Sequence, residues 1–390
     1  MKDRTRVIHQ PDIEMPPDNR PLVAPIYQSV KFEMDRIEES LRALRGERPG
    51  FFYTRTSNPT NRQLEELLAG LQGREDCIVS GSGVAAVSSC LLSLCKAGDH
   101  ILCFVETYGP SRYFIRRMLG RFGVEHTLLS IEDDEGIERA LRERPTRLVF
   151  FESPTNPVTK VADIARICGA ARAAGALTVM DNTFAGFHNH GQFDVDLFVH
   201  SLTKYASGHG DVMGGAIIGA RELVQSMHQD TSTLGPVLDP HAAFLVLRGM
   251  KTYFLRYEAQ SAAALQVAAW LEAHPAVALV RHPGLPGHPR HALARRQMHD
   301  FGTVVTFDLE GSMEDARIFV EALELFAITA SLGSVESLVM PPHFMQPRDF
   351  TPEQVSVSGL TPTTVRLSIG AEDPDDLIAD LDQALAKVAA

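Results

Sequence analysis

The sequence predicts an α/β protein built on a mostly parallel sheet and followed by a smaller C-terminal α+β unit. Three observations carry this. Across residues 51–219, helical patterns alternate with short apolar runs rich in β-forming residues, the mark of successive strand–helix units. Several of these runs end in polar residues, Glu106, Glu152, Asp181 and Ser201. That places functional groups along the carboxyl edge, where such sheets bind ligands. Beyond them, the amphipathic stretch 251–274 is closed by Pro275 and followed by the turn-rich HPGLPGH (282–288), a junction between two units.

Taken in order, residues 1–49 are polar, carry six prolines and show apolar periodicity only over 34–44, so they read as an arm with one helix that packs on a neighbour. The large unit is expected over 50–250, with strands at 100–105, 147–151, 177–180, 197–200 and 216–218. The C-terminal unit, 251–390, includes the linking helix. It has strands at 303–309 and 364–369, a helix near 313–323 and a final helix from Asp373. Asp373 followed by Pro374 suits an N-cap and first helical position, and Asp375 and Asp376 complement the helix dipole.

At 390 residues and 44% hydrophobic content, the chain can fill two sizeable cores, which excludes disordered and fibrous classes. The net charge of −12 is spread along the chain without a run of Lys or Arg, so nucleic acid is not an expected partner. The longest apolar stretches are interrupted and fall short of the ~20 residues that span a bilayer, and the N-terminal segment lacks the apolar core of a secretory signal. The expectation is a soluble cytoplasmic protein. Cys77, Cys90, Cys95, Cys103 and Cys168 have no metal-ligand spacing and read as reduced core residues. The closest histidine pairs, His188/His190 and His288/His291, lie in Gly- and Pro-rich loops without Cys or carboxylate companions. They read as exposed or locally bonded, and no metal site is expected.

The chemistry concentrates in a few places. Lys204, in HSLTKYASGHGDVMGG (200–215), follows an apolar strand, and a lysine partly desolvated at a sheet edge reaches the neutral, nucleophilic amine. Ser201 and Thr203 stand just before it. Asp181 ends an apolar run in VMDNTF; it is either a buried acid that needs a cationic partner or a helix cap. Gly81, Ser82 and Gly83 precede a helical run from Val84, where free backbone N–H groups can bind a phosphate. Tyr108, after the 100–105 strand, offers a flat ring or simple packing. Arg366, inside TVRLSIG, suits a bidentate carboxylate or an internal salt bridge. Ser201 and Lys204 also form an SxxK pattern like that of serine acyl-transfer enzymes, but no SDN or KTG element accompanies it.

Together with YTRTSNPTN (53–61), ESPTNP (152–157), LRGMKT, SLGSVESL and VRLSIGAED, these segments resemble the Cys/Met metabolism family of pyridoxal-phosphate enzymes from about Pro21 onward. That group includes cystathionine γ-synthases and γ-lyases, methionine γ-lyases, cystathionine β-lyases and homoserine-ester sulfhydrylases. The resemblance implies an aspartate-aminotransferase-like, fold type I architecture: a mostly parallel sheet with helices on both faces and a smaller C-terminal domain. It implies pyridoxal 5'-phosphate as cofactor, carried by Lys204 as a Schiff base, with Asp181 at the ring nitrogen and Tyr108 stacked on the ring. It assigns the phosphate to Gly83, Val84, Ser201 and Thr203, and to Tyr53 and Arg55 of a neighbouring subunit. Asn156 would meet the phenolic oxygen, and Arg366 with Ser331 and Leu332 would bind the carboxylate of an amino-acid substrate. It further implies an active-site-sharing homodimer, usually paired into a homotetramer.

The resemblance implies elimination or replacement at the γ or β carbon of sulfur-containing or O-acylated amino acids, first of the cystathionine γ-lyase/γ-synthase type. Methionine γ-lyase-like or O-succinylhomoserine sulfhydrylase activity comes next, then cystathionine β-lyase, then a non-catalytic protein on the same scaffold. The walls depart from several patterns: Phe52 and Ala330 stand where γ-synthases and γ-lyases place acidic residues, Pro110 where methionine γ-lyases place cysteine, and Leu332 where β-lyases place tryptophan. Residues 341–347 read PPHFMQP where HPASMTH is common.

Overall fold

The computed structural model of the chain describes residue 16 and residues 18–48, 50–345 and 350–388. Seven strands form the larger sheet: β1 (Asp76–Ser80), β2 (His100–Phe104), β3 (Glu125–Leu129), β4 (Leu148–Glu152), β5 (Leu177–Asp181), β6 (Leu197–Ser201) and β7 (Gly215–Gly219). Their order is β1-β7-β6-β5-β4-β2-β3. Only β7 runs against its neighbours; the pairs from β3 through β6 are parallel. The five strands expected from the sequence are all present within a residue or two. β1 and β3 were not anticipated.

Alternation along each strand explains why both sheet faces need cover. Leu102, Phe104, Val149, Phe151, Met180 and Phe198 enter one core, shared with the helices Pro59–Leu71, Ile164–Ala173 and Pro240–Met250. Ile101, Cys103, Phe150, Val179, Leu197 and Val199 enter another, shared with Gly83–Leu94 and Arg221–Leu234.

The smaller sheet comprises β8 (Val277–Arg281), β9 (Val304–Leu309), β10 (Ala327–Ile328), β11 (Leu338–Met340) and β12 (Thr364–Ser368), ordered β10-β11-β12-β9-β8. Val365 and Leu367 of β12 pack into a core with the helices Tyr253–Glu272, Met313–Ala322 and Pro374–Ala386. Arg366, between them, takes the opposite face, which looks toward the larger sheet. The final helix begins as expected, with the Asp373 side chain accepting from Asp375 N. Among the described residues no helix is long and apolar enough to cross a membrane.

Of the two alternatives for the loop histidines, His190 and His288 take the second: they are buried and locally bonded. His190 Nδ1 meets Asn182 Oδ1 at 2.7 Å, and Asn182 Nδ2 donates to Gly186 O at 3.0 Å. Gln72 Oε1 joins this network to His200 Nε2 at 2.8 Å. Burial drives His190 and His200 down to about 3, so both are neutral hydrogen-bonding groups bracing the turn after β5.

Candidate active site

A cavity of about 440 Å³ lies between the carboxyl edge of the larger sheet and the inner face of the smaller one. Glu152, Asp181 and Ser201 close β4, β5 and β6, and all three line it with Lys204, Tyr108 and Arg366. Lys204 Nζ donates to Ser331 Oγ at 2.6 Å. Burial first, then the Arg366 charge, pulls the Lys204 ammonium down to about 8, with Asp181 opposing. The amine is thus divided between charged and neutral forms near physiological pH.

Asp181 Oδ1 accepts from Thr183 N at 3.1 Å and Thr183 Oγ1 at 2.6 Å. Burial raises its pKa, while the Thr183 bonds and the Lys204 charge oppose the rise. Thr183 Oγ1 in turn accepts from Ser201 N at 2.9 Å, tying the ends of β5 and β6 together. The sequence reading missed Thr183. The signal was available: a hydroxyl two residues after an acid that ends a strand can fold back on it.

The helix Gly83–Leu94 starts at the cavity, with Ser82 as N-cap accepting from Ala85 N. A Cβ on Gly83 would stand 2.7 Å from Ser201 Cβ, so only glycine allows the helix start to approach β6 this closely. Thr203 Oγ1 accepts from Gly214 N at 3.2 Å at the same edge.

From the smaller sheet, Arg366 donates through one terminal nitrogen to Asn156 Oδ1 at 2.8 Å and through the other to Ser331 O at 2.7 Å. Its Nε is buried and has no hydrogen-bond partner among the described residues. Burial brings the guanidinium to about 10, still charged at neutral pH. Ser331 sits at φ +108°, a strained conformation for a residue with a Cβ. This single residue offers its hydroxyl to Lys204 and its carbonyl to Arg366. Leu332, buried next to it, also lines the cavity.

Tyr53 and Arg55 do not join this cavity. Arg55 bonds the carbonyl and hydroxyl of Ser232 at 3.0 and 3.2 Å on another part of the surface, and Tyr53 and Phe52 are 40% and 47% exposed. The far wall is formed by Pro110, Ala330, Met340, Pro342, Phe350 and Leu360. Arg112 lies beside it, donating to Val105 O and Thr107 O at 2.8 and 2.6 Å with its guanidinium 4.0 Å over the Phe350 ring. Of the unusual 341–347 segment, residues 346 and 347 lie outside the described residues. No cluster of three or more metal-ligating side chains occurs among the described residues.

A near-neutral lysine, a buried acid and a buried arginine around one cavity suit an enzyme that handles amino groups through a carbonyl cofactor. The sequence comparisons name the family. The chain belongs to the Cys/Met metabolism PLP-dependent enzyme family, which matches residues 4–386. It is 39% identical to an L-methionine γ-lyase of Pseudomonas putida over 368 residues, covering 93% of this chain and 92% of the relative. It is 37% identical to an O-succinylhomoserine sulfhydrylase of Pseudomonas aeruginosa, covering 87% and 85%. A cystathionine γ-synthase from Xanthomonas oryzae pv. oryzae, solved with aminoacrylate and cysteine, matches with a TM-score of 0.89 at 34% identity over 94% of each chain.

The cofactor is pyridoxal phosphate, and the residues present fit it. The cavity has the size of a small-molecule site. Gly83 lacks the Cβ that would close the space between the helix start and Ser201, Asp181 is an acid able to face a cationic ring nitrogen, and Lys204 is poised near neutrality.

Proposed function

We propose that this enzyme catalyses elimination or replacement at the γ (or β) carbon of sulfur-containing or O-acylated amino acids, of the cystathionine γ-lyase/γ-synthase type. The observation that carries the reading is the convergence on Ser331, which links the near-neutral amine of Lys204 to the fixed charge of Arg366. An α-carboxylate gripped by Arg366, Ser331 and the backbone of Leu332 would bring the substrate's Cα within reach of Lys204 Nζ.

In this proposal Lys204 holds the cofactor and Asp181 faces its ring nitrogen. Tyr108 stacks on the ring, Asn156 meets the phenolic oxygen, and Gly83, Val84, Ser201 and Thr203 hold the phosphate. Bound pyridoxal phosphate supplies the aldehyde that captures the substrate amine and an electron sink for negative charge at Cα. Lys204 Nζ takes the Cα proton and returns it further along the chain of carbons, with Tyr108 assisting at the mouth. Ser331 keeps Nζ on the Cα side through its hydroxyl.

Tyr53 and Arg55 would reach the phosphate of a neighbouring subunit in a homodimer, and two dimers would form a tetramer. Their position apart from their own chain's cavity supports this. We divide the chain into the arm 1–49, a cofactor domain 50–250 and a C-terminal domain 251–390. We place the protein in the cytoplasm, in keeping with five cysteines that remain unpaired.

The apolar far wall supports a second reading, a methionine γ-lyase-like preference for an uncharged distal group. The test is the visible spectrum of purified protein, followed by cystathionine, methionine, cysteine and O-succinylhomoserine with and without cysteine, with 2-oxo acid and thiol release monitored. A cofactor band abolished by Lys204→Ala, with turnover of one of these substrates, is the expected result. A protein that stays colourless with added pyridoxal phosphate sinks the proposal.

A further inference from the structure

Glu152 is a buried acid that the mechanism above leaves without a task. It ends β4, is 5% exposed, and pairs in parallel register with Asp181 at the end of β5. In-register residues of neighbouring strands put their side chains on the same face, so two acids enter one cavity side by side. Their surroundings differ. Asp181 is bonded by Thr183 and lies near the Lys204 charge, whereas Glu152 Oε1 accepts the backbone N–H of Tyr108 at 2.6 Å.

Tyr108 needs such an anchor. The residue is 41% exposed, and its hydroxyl makes no hydrogen bond among the described residues. What holds the ring in place is therefore its backbone. Thr107 N donates to Phe104 O at 3.1 Å, Thr107 O accepts from Arg112, and Tyr108 N is bound by Glu152. Arg112 N also donates to Tyr108 O at 2.9 Å, from the turn that follows, so among the described residues Glu152 is the anchor that reaches the Tyr108 backbone from a strand of the sheet.

We infer that Glu152 is a positioning residue for Tyr108: its side-chain oxygen fixes the Tyr108 backbone, and so the ring, over the cofactor. The inference rests on the reading of Tyr108 as the residue that stacks on the ring. Keeping Glu152 uncharged also leaves Asp181 as the one anion facing the ring nitrogen, since two carboxylates packed together in an apolar cavity do not both ionise. Burial first, and the Asp181 charge second, push the Glu152 carboxyl well above the usual carboxylate range, in agreement with the geometry.

The test compares Glu152→Gln, Glu152→Asp and Glu152→Ala in the full-length protein, reading the dissociation constant of pyridoxal phosphate and the visible circular dichroism of the bound cofactor. Gln keeps an uncharged oxygen at the same reach, so its affinity and dichroism stay within about twofold of the original. Asp is one methylene short of a 2.6 Å contact, and Ala has no acceptor. Both should weaken cofactor binding by roughly tenfold and reduce the dichroism, because the Tyr108 N–H loses its acceptor. In a Tyr108→Ala background, Glu152→Asp should add less than about twofold, since coupled residues are not additive.

A Gln variant as damaged as Ala would show that charge, not the acceptor, matters, and would overturn the inference. So would an Ala variant with unchanged affinity and dichroism, or full additivity in the Tyr108→Ala background. If Ala fails to fold, the contrast between Gln and Asp decides by itself. Failure of the unsubstituted protein to bind pyridoxal phosphate would be a different result, removing the functional reading together with this one.

Discussion

The two sheets supply the site in opposite ways. In the seven-stranded sheet the functional side chains stand at strand ends or just past them: Glu152, Asp181 and Ser201 terminate β4, β5 and β6, and Lys204 follows in the next turn. The five-stranded sheet instead supplies Arg366 from the middle of β12, between the partner residues Met340 of β11 and Thr306 of β9. A strand end opens onto the cavity, whereas a mid-strand residue is enclosed on both sides. Burial lowers both groups, and their different ordinary values give different outcomes. Lys204, starting from an ordinary value near 10.5, falls to about 8 and can exchange its proton. Arg366, starting from a higher ordinary value, falls to about 10 and stays charged. The edge carries the group that changes state, and the sheet face carries the one that does not.

Replacing the edge group tests this division most severely. Lys204→Ala should lower kcat by at least ~10³-fold and abolish the cofactor's visible band, because nucleophile and proton carrier vanish together. If turnover survived, the division between edge and face would be wrong. Arg366→Lys keeps the charge but cannot span Asn156 Oδ1 and Ser331 O. A loss of ~10²-fold in kcat/KM, chiefly through KM, is expected from steady-state kinetics. A loss carried mainly by kcat would instead give Arg366 a part in the chemistry.

Gly83→Ala drives a methyl group into Ser201 and should weaken cofactor affinity by about tenfold, measured by equilibrium dialysis, with overpacking of ~1–3 kcal/mol as the cause. The smallest effect is on the stability of the cofactor-free protein. Burial holds the Lys204 ammonium at about 8 in the folded chain, below its ordinary value near 10.5. Between these values the unfolded chain binds a proton that the folded chain does not, so this group's contribution to stability rises with pH over that window. Thermal unfolding at pH 8 and pH 10 should show that increment in the original protein and not in Lys204→Met. An equal increment in both would mean that Lys204 is not desolvated.

Much of the edge was legible because its residues break a local pattern. Asp181 and Lys204 stand where apolar runs stop, and Arg366 interrupts an apolar strand, so each announced a need for a partner. Their placement in one cavity agrees with that reading. β1 and β3 escaped it: β3 is only partly buried, so its apolar pattern is weak. The depth of His190 was not legible either, because glycine-rich surroundings look like surface loop, although its local bond to Asn182 lies within the readings the sequence allowed. Tyr53 and Arg55 were placed by resemblance alone, and the single chain leaves them outside its own cavity.

The sequence by itself determined five of the larger sheet's seven strands, which helix start lacks a Cβ, and which charged residues stand at the ends or inside of apolar runs, since these follow from periodicities over a few residues. Only the tertiary structure decided that Lys204 meets Ser331 across 127 residues and that Arg366 meets Asn156 across 210. It also set the register that places Glu152 beside Asp181. Those contacts depend on strand order and on the packing of one sheet's edge against the other's face. No local pattern encodes that, because it is the burial of whole surfaces, summed over both sheets, that selects it.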